Sequence, residues 1–168
     1  MDKRISLAVA QATDLADPSP QLERGIALGF ADGADGAAEL ADVFAAFERV
    51  ERAYPWHSWW GVADDAGMVA GLCGFKHSPD RDGRVEIAYF TFPEVEGNGV
   101  ATGMARQLIE VARANGAREV IAHTLPEENA STRVLDANGF AFGGAVIDPE
   151  DGPVWSWRRS LAAPPVAK

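Results

Sequence analysis

The residue types that could do chemistry gather in the second half of the chain. Glu86 interrupts an otherwise apolar run from Val85 to Phe92, Gly97 and Gly99 follow behind an acidic turn, and a helical pattern opens at Val100. A strand feeding a glycine-rich turn at a helix start is a device for holding anions. The N–H groups of the first helical turn lack internal partners, and the helix dipole adds positive potential there. Glycine lets the main chain approach a phosphate with no Cβ between them. Further along stand His123, Asn129 and Ser131, and upstream the segment YPWHSWW sets Trp56, Trp59 and Trp60 around His57.

Two kinds of anion loop can be set aside. The dinucleotide fingerprint G-x-G-x-x-G would need glycine at 102, where Thr102 stands, and no Gly-Lys-Ser/Thr follows to make a nucleotide P-loop. The remaining pattern, Glu96-Gly97-Asn98-Gly99-Val100-Ala101, resembles the Gln/Arg-x-x-Gly-x-Gly/Ala motif of the GNAT acyltransferases. By itself it also reads as a tight strand-to-helix turn. Downstream, Asn129 to Phe140 (NASTRVLDANGF) resembles the family's Asn-x-x-Ser/Thr…Gly-Phe segment, and upstream Val-Glu-Ile-Ala-Tyr resembles its fourth strand. In that order the pieces extend the resemblance over residues 59 to 158. Within the family the chain is most similar to the branch that acetylates ribosomal-protein N-termini, while residues 1 to 55 match weakly.

The resemblance implies a single α/β (α+β) domain over residues 1–168. It has a mixed central sheet, helices on both faces, and two parallel strands that splay to admit the pantetheine arm of acetyl-CoA. The N–H groups of Gly97, Asn98, Gly99, Ala101 and Thr102 would grip the coenzyme A pyrophosphate. Phe90, Thr91 and Phe92 would flank the arm from the fourth strand. Asn129 would hold the pantetheine side, and it also reads as a helix N-cap. Two residues depart from the family pattern: Glu96 stands where relatives commonly carry a basic residue, and Asn98 where they often carry Arg or Lys. Both remove positive charge beside a pyrophosphate, so weaker cofactor binding is expected.

Glu86 aligns with the general base of histone-acetylating relatives; its other reading is a carboxylate paired with a neighbour. His123 is a rival base and part of the expected substrate site, or else a satisfied buried histidine. Relatives commonly use a tyrosine after the fourth helix as the acid for the leaving thiolate. This chain has only Tyr54 and Tyr89, neither at that place, so either Ser131 substitutes or the thiolate departs unprotonated. Trp59 and Trp60 either wall the acceptor pocket or anchor the next strand by packing. No metal is expected. The activity implied is N-acetyl transfer to a primary amine, on a small molecule or a peptide N-terminus; the rival is a non-catalytic acyl-CoA sensor.

Composition bounds these readings. A chain of 168 residues, 47% apolar and 24% charged, is the size and make-up of one globular domain. A formal charge of −10 argues against nucleic acid and anionic membranes, and would draw in a cationic substrate. The single cysteine, Cys73, excludes an internal disulfide and fits a reducing, cytoplasmic setting. The apolar run in MDKRISLAVAQA spans about six residues, short for a secretory signal. A homodimer is a further expectation.

The elements that must position the site follow from periodicity. Strands are expected at 3–10, 59–63, 68–76, 85–92, 119–124, 140–147 and 154–159. Helices are expected at 20–29, 36–53, 100–115 and 130–138, with Leu40, Val43, Phe44, Phe47 and Val50 on one face of the second. Residues after 161 read as a frayed tail. In the central strand, alternation puts Glu86, Ala88 and Phe90 on one face and Val85, Ile87 and Tyr89 on the other.

Overall fold

The computed structural model describes residues 5–9, 53–63, 68–92 and 96–161. The helices expected at 20–29 and 36–53, and the tail after 161, lie outside them. The described elements are β1 (Ile5–Val9), β2 (Ser58–Ala63), β3 (Met68–Phe75), β4 (Arg84–Thr91), α1 (Val100–Ala114), β5 (Glu119–Thr124), α2 (Ala130–Ala137), β6 (Ala141–Asp148) and β7 (Gly152–Ser160). Seven strands form one mixed sheet in the order β1-β2-β3-β4-β5-β7-β6. Every pairing is antiparallel except β4 with β5. The closing turn is tighter than expected, because Pro153 already belongs to β7, opposite Ile147. Proline is tolerated there since β7 meets β5 only from Trp155 onward. Among the described residues, no helix is long and apolar enough to cross a membrane.

Helix α1 buries Val100, Met104, Leu108 and Ala112, which recur every four residues, against β1 to β4. Its docking depends on two glycines that face each other across β2 and β3, Gly61 and Gly71. A Cβ on Gly61 would stand 2.5 Å from Met104 Sδ, and one on Gly71 would stand 2.9 Å from Met104 Cε. The pair is a notch that receives the Met104 side chain. Gly116, with φ +84, turns the chain out of the helix, as glycine readily does at such a stop. Cys73 lies in the core on β3, and burial pushes its thiol well above the ordinary range.

The parallel pair determines where a site can lie. Its ladder runs Arg84↔Glu119, Val85↔Val120 and Glu86↔Ile121, then stops, although β4 continues to Thr91 and β5 to Thr124. Beyond Glu86, β4 stays in register with β3 while β5 stays with β7. The two strands therefore part at Glu86. Their inner edges carry backbone N–H and C=O groups with no ladder partner, which is the splay implied by the family resemblance.

Candidate active site

A cavity of about 580 Å³ opens where β4 ends and the N-termini of α1 and α2 converge. Tyr89, Phe90 and Thr91 line it from β4. Glu96, Gly97, Gly99, Ala101 and Thr102 line it from the glycine turn and the start of α1, and Ser131, Arg133 and Val134 line it from α2. Gly97 and Gly99 adopt φ +80 and +79, a region costly for residues with a side chain. Beyond Gly97 itself and its two chain neighbours, no heavy atom stands within 4 Å of where a Cβ on Gly97 would be. The first bond of α1 runs from Gly103 N–H to Gly99 O at 3.0 Å. The N–H groups of Val100, Ala101 and Thr102 precede it, and Gly99 offers no side-chain cap. This uncapped helix start faces the cavity.

The lining fits an acyl-coenzyme A. The α1 N-terminus suits the pyrophosphate, and Arg133 is a cation in the cavity wall. The parted strand edges suit the amides of the pantetheine arm. Thr91 Oγ1 is buried in the wall without a hydrogen-bond partner, a group that a bound polar ligand would satisfy.

Of the residues expected to hold the cofactor, Phe90, Thr91, Gly97, Gly99, Ala101 and Thr102 line the cavity. Phe92 instead lies fully buried in the core. Asn98 does not line the cavity, and its Nδ2–H donates back along the turn to Glu96 O at 3.2 Å. Asn129 is the N-cap of α2: its Oδ1 accepts from Thr132 N–H at 3.0 Å, and Thr132 Oγ1 accepts from Asn129 N–H at 3.0 Å.

Tyr89 is a cavity side chain that the sequence reading does not single out. Its hydroxyl lies 2.8 Å from Ser131 Oγ, inside the cavity lining. Burial raises its phenol above the ordinary value, with the Ser131 hydrogen bond pulling the other way. The family pattern puts the acid after the fourth helix, whereas Tyr89 stands on β4. Its parity with Val85 and Ile87, at the strand end nearest the glycine turn, was the available signal.

On the other face of the sheet, Glu86 Oε2 lies 2.9 Å from Lys76 Nζ and 3.2 Å from His123 Nδ1. Glu86 is thus the paired carboxylate of its second reading, at the point where the strands part. Burial would lower the Lys76 ammonium, but the hydrogen bond and charge of Glu86, with Asp151 and Asp148 behind them, hold it above the ordinary value. Trp60 pairs with Leu72 and so shares this face by alternation, whereas Trp59 pairs with Cys73 and points to the α1 side. Trp59 Nε1–H donates to Pro55 O at 3.0 Å, and both indoles are buried.

Glu96 puts a negative charge in the cavity wall. Replacing Glu96 and Asn98 together with arginine is expected to tighten coenzyme A about tenfold at low salt. A charge acting over about 8 Å near the surface is worth roughly 2 kcal/mol before screening, and the gain should shrink as salt rises. Calorimetry at two ionic strengths checks this; equal affinities at both would place these side chains away from the phosphates.

The sequence matches the profile described as "Acetyltransferase (GNAT) domain" over residues 11–141. Solved structures repeat the fold at low identity. An acetyltransferase (GNAT family) from Bacillus anthracis aligns with TM-score 0.64 and 14% identity, over 97% of this chain and 98% of its own. The microcin C7 self-immunity acetyltransferase MccE, solved with acetyl-CoA and AMP, aligns with TM-score 0.66 and 12% identity over 94% and 92%. The aminoglycoside acetyltransferase AAC(6')-Ib, solved with coenzyme A, aligns with TM-score 0.64 and 18% identity over 93% and 94%. A search of curated proteins finds no significant match. With three quarters of its length matching one domain profile, and with the sheet, parted strands and uncapped α1 turn described above, this chain belongs to the GNAT acetyltransferase domain family.

Proposed function

We propose that the protein is an acetyl-CoA-dependent N-acetyltransferase acting on a primary amine. The observation that carries this reading is the parting of β4 and β5 at Glu86, with the 580 Å³ cavity and bare α1 N-terminus at its mouth. The amine nitrogen bonds to the acetyl carbon, the carbon–sulfur bond breaks, and the electron pair leaves with sulfur. Catalysis then asks for a proton acceptor for the amine and a donor for the departing thiolate. The Glu86–His123 pair can supply the first, and Ser131 hydrogen-bonded to Tyr89 the second.

A small cationic amine is the acceptor favoured by the −10 charge. A spermidine N-acetyltransferase chimera and the aminoglycoside enzyme share the fold. A protein N-terminus is the second reading, supported by the likeness of the chain to the branch that acetylates ribosomal-protein N-termini. A reducing, cytoplasmic setting rests on the lone buried Cys73. Pairing of two copies rests on edge strand β6, where Phe142, Val146 and Ile147 are exposed.

The test is release of free thiol from acetyl-CoA, read with a thiol reagent, across polyamines, aminoglycosides, amino acids and peptide N-termini. The buried Cys73 adds no background while the protein is folded. Turnover in the range of about 1–10³ per second is expected on the right amine. Coenzyme A binding by calorimetry, with no thiol release on any acceptor, would make the protein a sensor.

A further inference from the structure

We infer that His123 takes the proton from the attacking amine, and that Glu86 is the positioning residue that holds it; this rests on the acetyl-transfer reading above. One oxygen of Glu86, Oε2, receives both Lys76 Nζ at 2.9 Å and His123 Nδ1 at 3.2 Å. The Glu86 carboxylate accepts from the Lys76 ammonium through that oxygen. An ionised carboxylate can only accept, so the proton in the Glu86–His123 contact sits on Nδ1. The imidazole is thereby set with its Nε2 lone pair free. Among the described residues, Nε2 has no hydrogen-bond partner.

Position agrees with chemistry. Glu86 and Ile121 form the last pair of the parallel ladder. His123 follows two residues later on the same face of β5, beside the opening between the strands. It is one-fifth exposed, so an acceptor can reach it. The charged groups around the pair come from every neighbouring element. Lys76 follows β3, Asp148 and Asp151 stand at the β6–β7 turn, and Arg158 of β7 lies opposite Ile121. The Arg84–Glu119 ion pair closes the same face at the paired end of the ladder.

The proton balance closes without a further reagent. An alkylammonium substrate loses one proton to become the nucleophile and a second as the amide forms. One goes to Nε2 and then to solvent, and the other accompanies the departing thiolate.

Two readouts test the inference on the full chain. In protein labelled with ¹⁵N-histidine, long-range proton–nitrogen spectra report the tautomer of each ring. The spectrum of His123→Gln identifies the signals of His123 among those of His57 and His77. Expected is the Nδ1–H tautomer for His123, lost in Glu86→Ala; an Nε2–H tautomer in the native protein would overturn the assignment. In turnover on an amine found by the thiol-release screen, His123→Gln should lose about 10²–10⁴-fold in kcat. It should keep its coenzyme A affinity and lose the acidic limb of the pH–rate profile. Glu86→Gln should lose about tenfold and keep that limb, with Glu86→Asp recovering part of the rate. If native protein turns over and His123→Gln does so equally well, this inference fails alone. If native protein releases no thiol with any amine, the acetyl-transfer reading fails first.

Discussion

Replacing Gly99 with aspartate is expected to weaken coenzyme A binding about 100-fold or more while leaving the fold intact. Gly99 is the N-cap of α1 at φ +79, directly beside the N–H groups that face the cavity. An added carboxylate about 6 Å from a phosphate costs roughly 3 kcal/mol at the effective dielectric of a partly exposed site. Holding a residue with a side chain in the left-handed region adds about 1 kcal/mol of strain, less for aspartate or asparagine than for others. A 100-fold loss corresponds to about 2.7 kcal/mol, so the charge alone is sufficient. Gly99→Asn separates the terms, because asparagine tolerates the same backbone without charge, and it should lose less than about tenfold. Calorimetry on folded variants reads both. Unchanged affinity in Gly99→Asp would remove the pyrophosphate from the α1 N-terminus.

Gly71→Val is expected to destabilise the protein by about 3 kcal/mol or more, the upper range for overpacking a core. For a chain of this length that lowers Tm by roughly 6–12 °C. A Cβ at Gly71 would stand 2.4 Å from Phe90 O and 2.9 Å from Met104 Cε. The methionine end can swing aside, but the carbonyl belongs to β4 and can move only with the strand. Met104→Ala in the same chain should therefore fail to restore stability, since it clears the side-chain clash and leaves the backbone one. Gly71 is also the register partner of Thr91, so the displaced strand carries the cavity wall with it. Coenzyme A affinity should fall alongside Tm. A melting temperature within a degree of native would mean that β3 and β4 separate at low cost.

The local elements were legible because short-range sterics and periodicity determine them. Alternation from Val85 to Thr91 assigned the two faces of β4 correctly. Val85 and Ile87 are buried, while Glu86 meets Lys76 and His123 on the other side. The recurrence of Val100, Met104, Leu108 and Val111 marked α1; the first three are buried on its inner face, while Val111 is half-buried. The glycines at 97 and 99 announced a left-handed turn into a helix, because few other residues take φ near +80 at low cost. Asn129 announced a cap.

What the chain alone determined is therefore the set of strands, the helix start and the kind of anion it suits. All of these are decided by residues within a few positions of one another. Only the tertiary structure decided that β7 enters between β5 and β6, that the parallel ladder stops at Glu86, and that two glycines form a notch for Met104. It alone brought Tyr89 to Ser131 across 42 positions and His123 to Glu86 across 37. Contacts at such separations depend on sheet register and on which strand edge remains open. A period of two says which face a residue occupies, but not which distant strand or helix that face will meet.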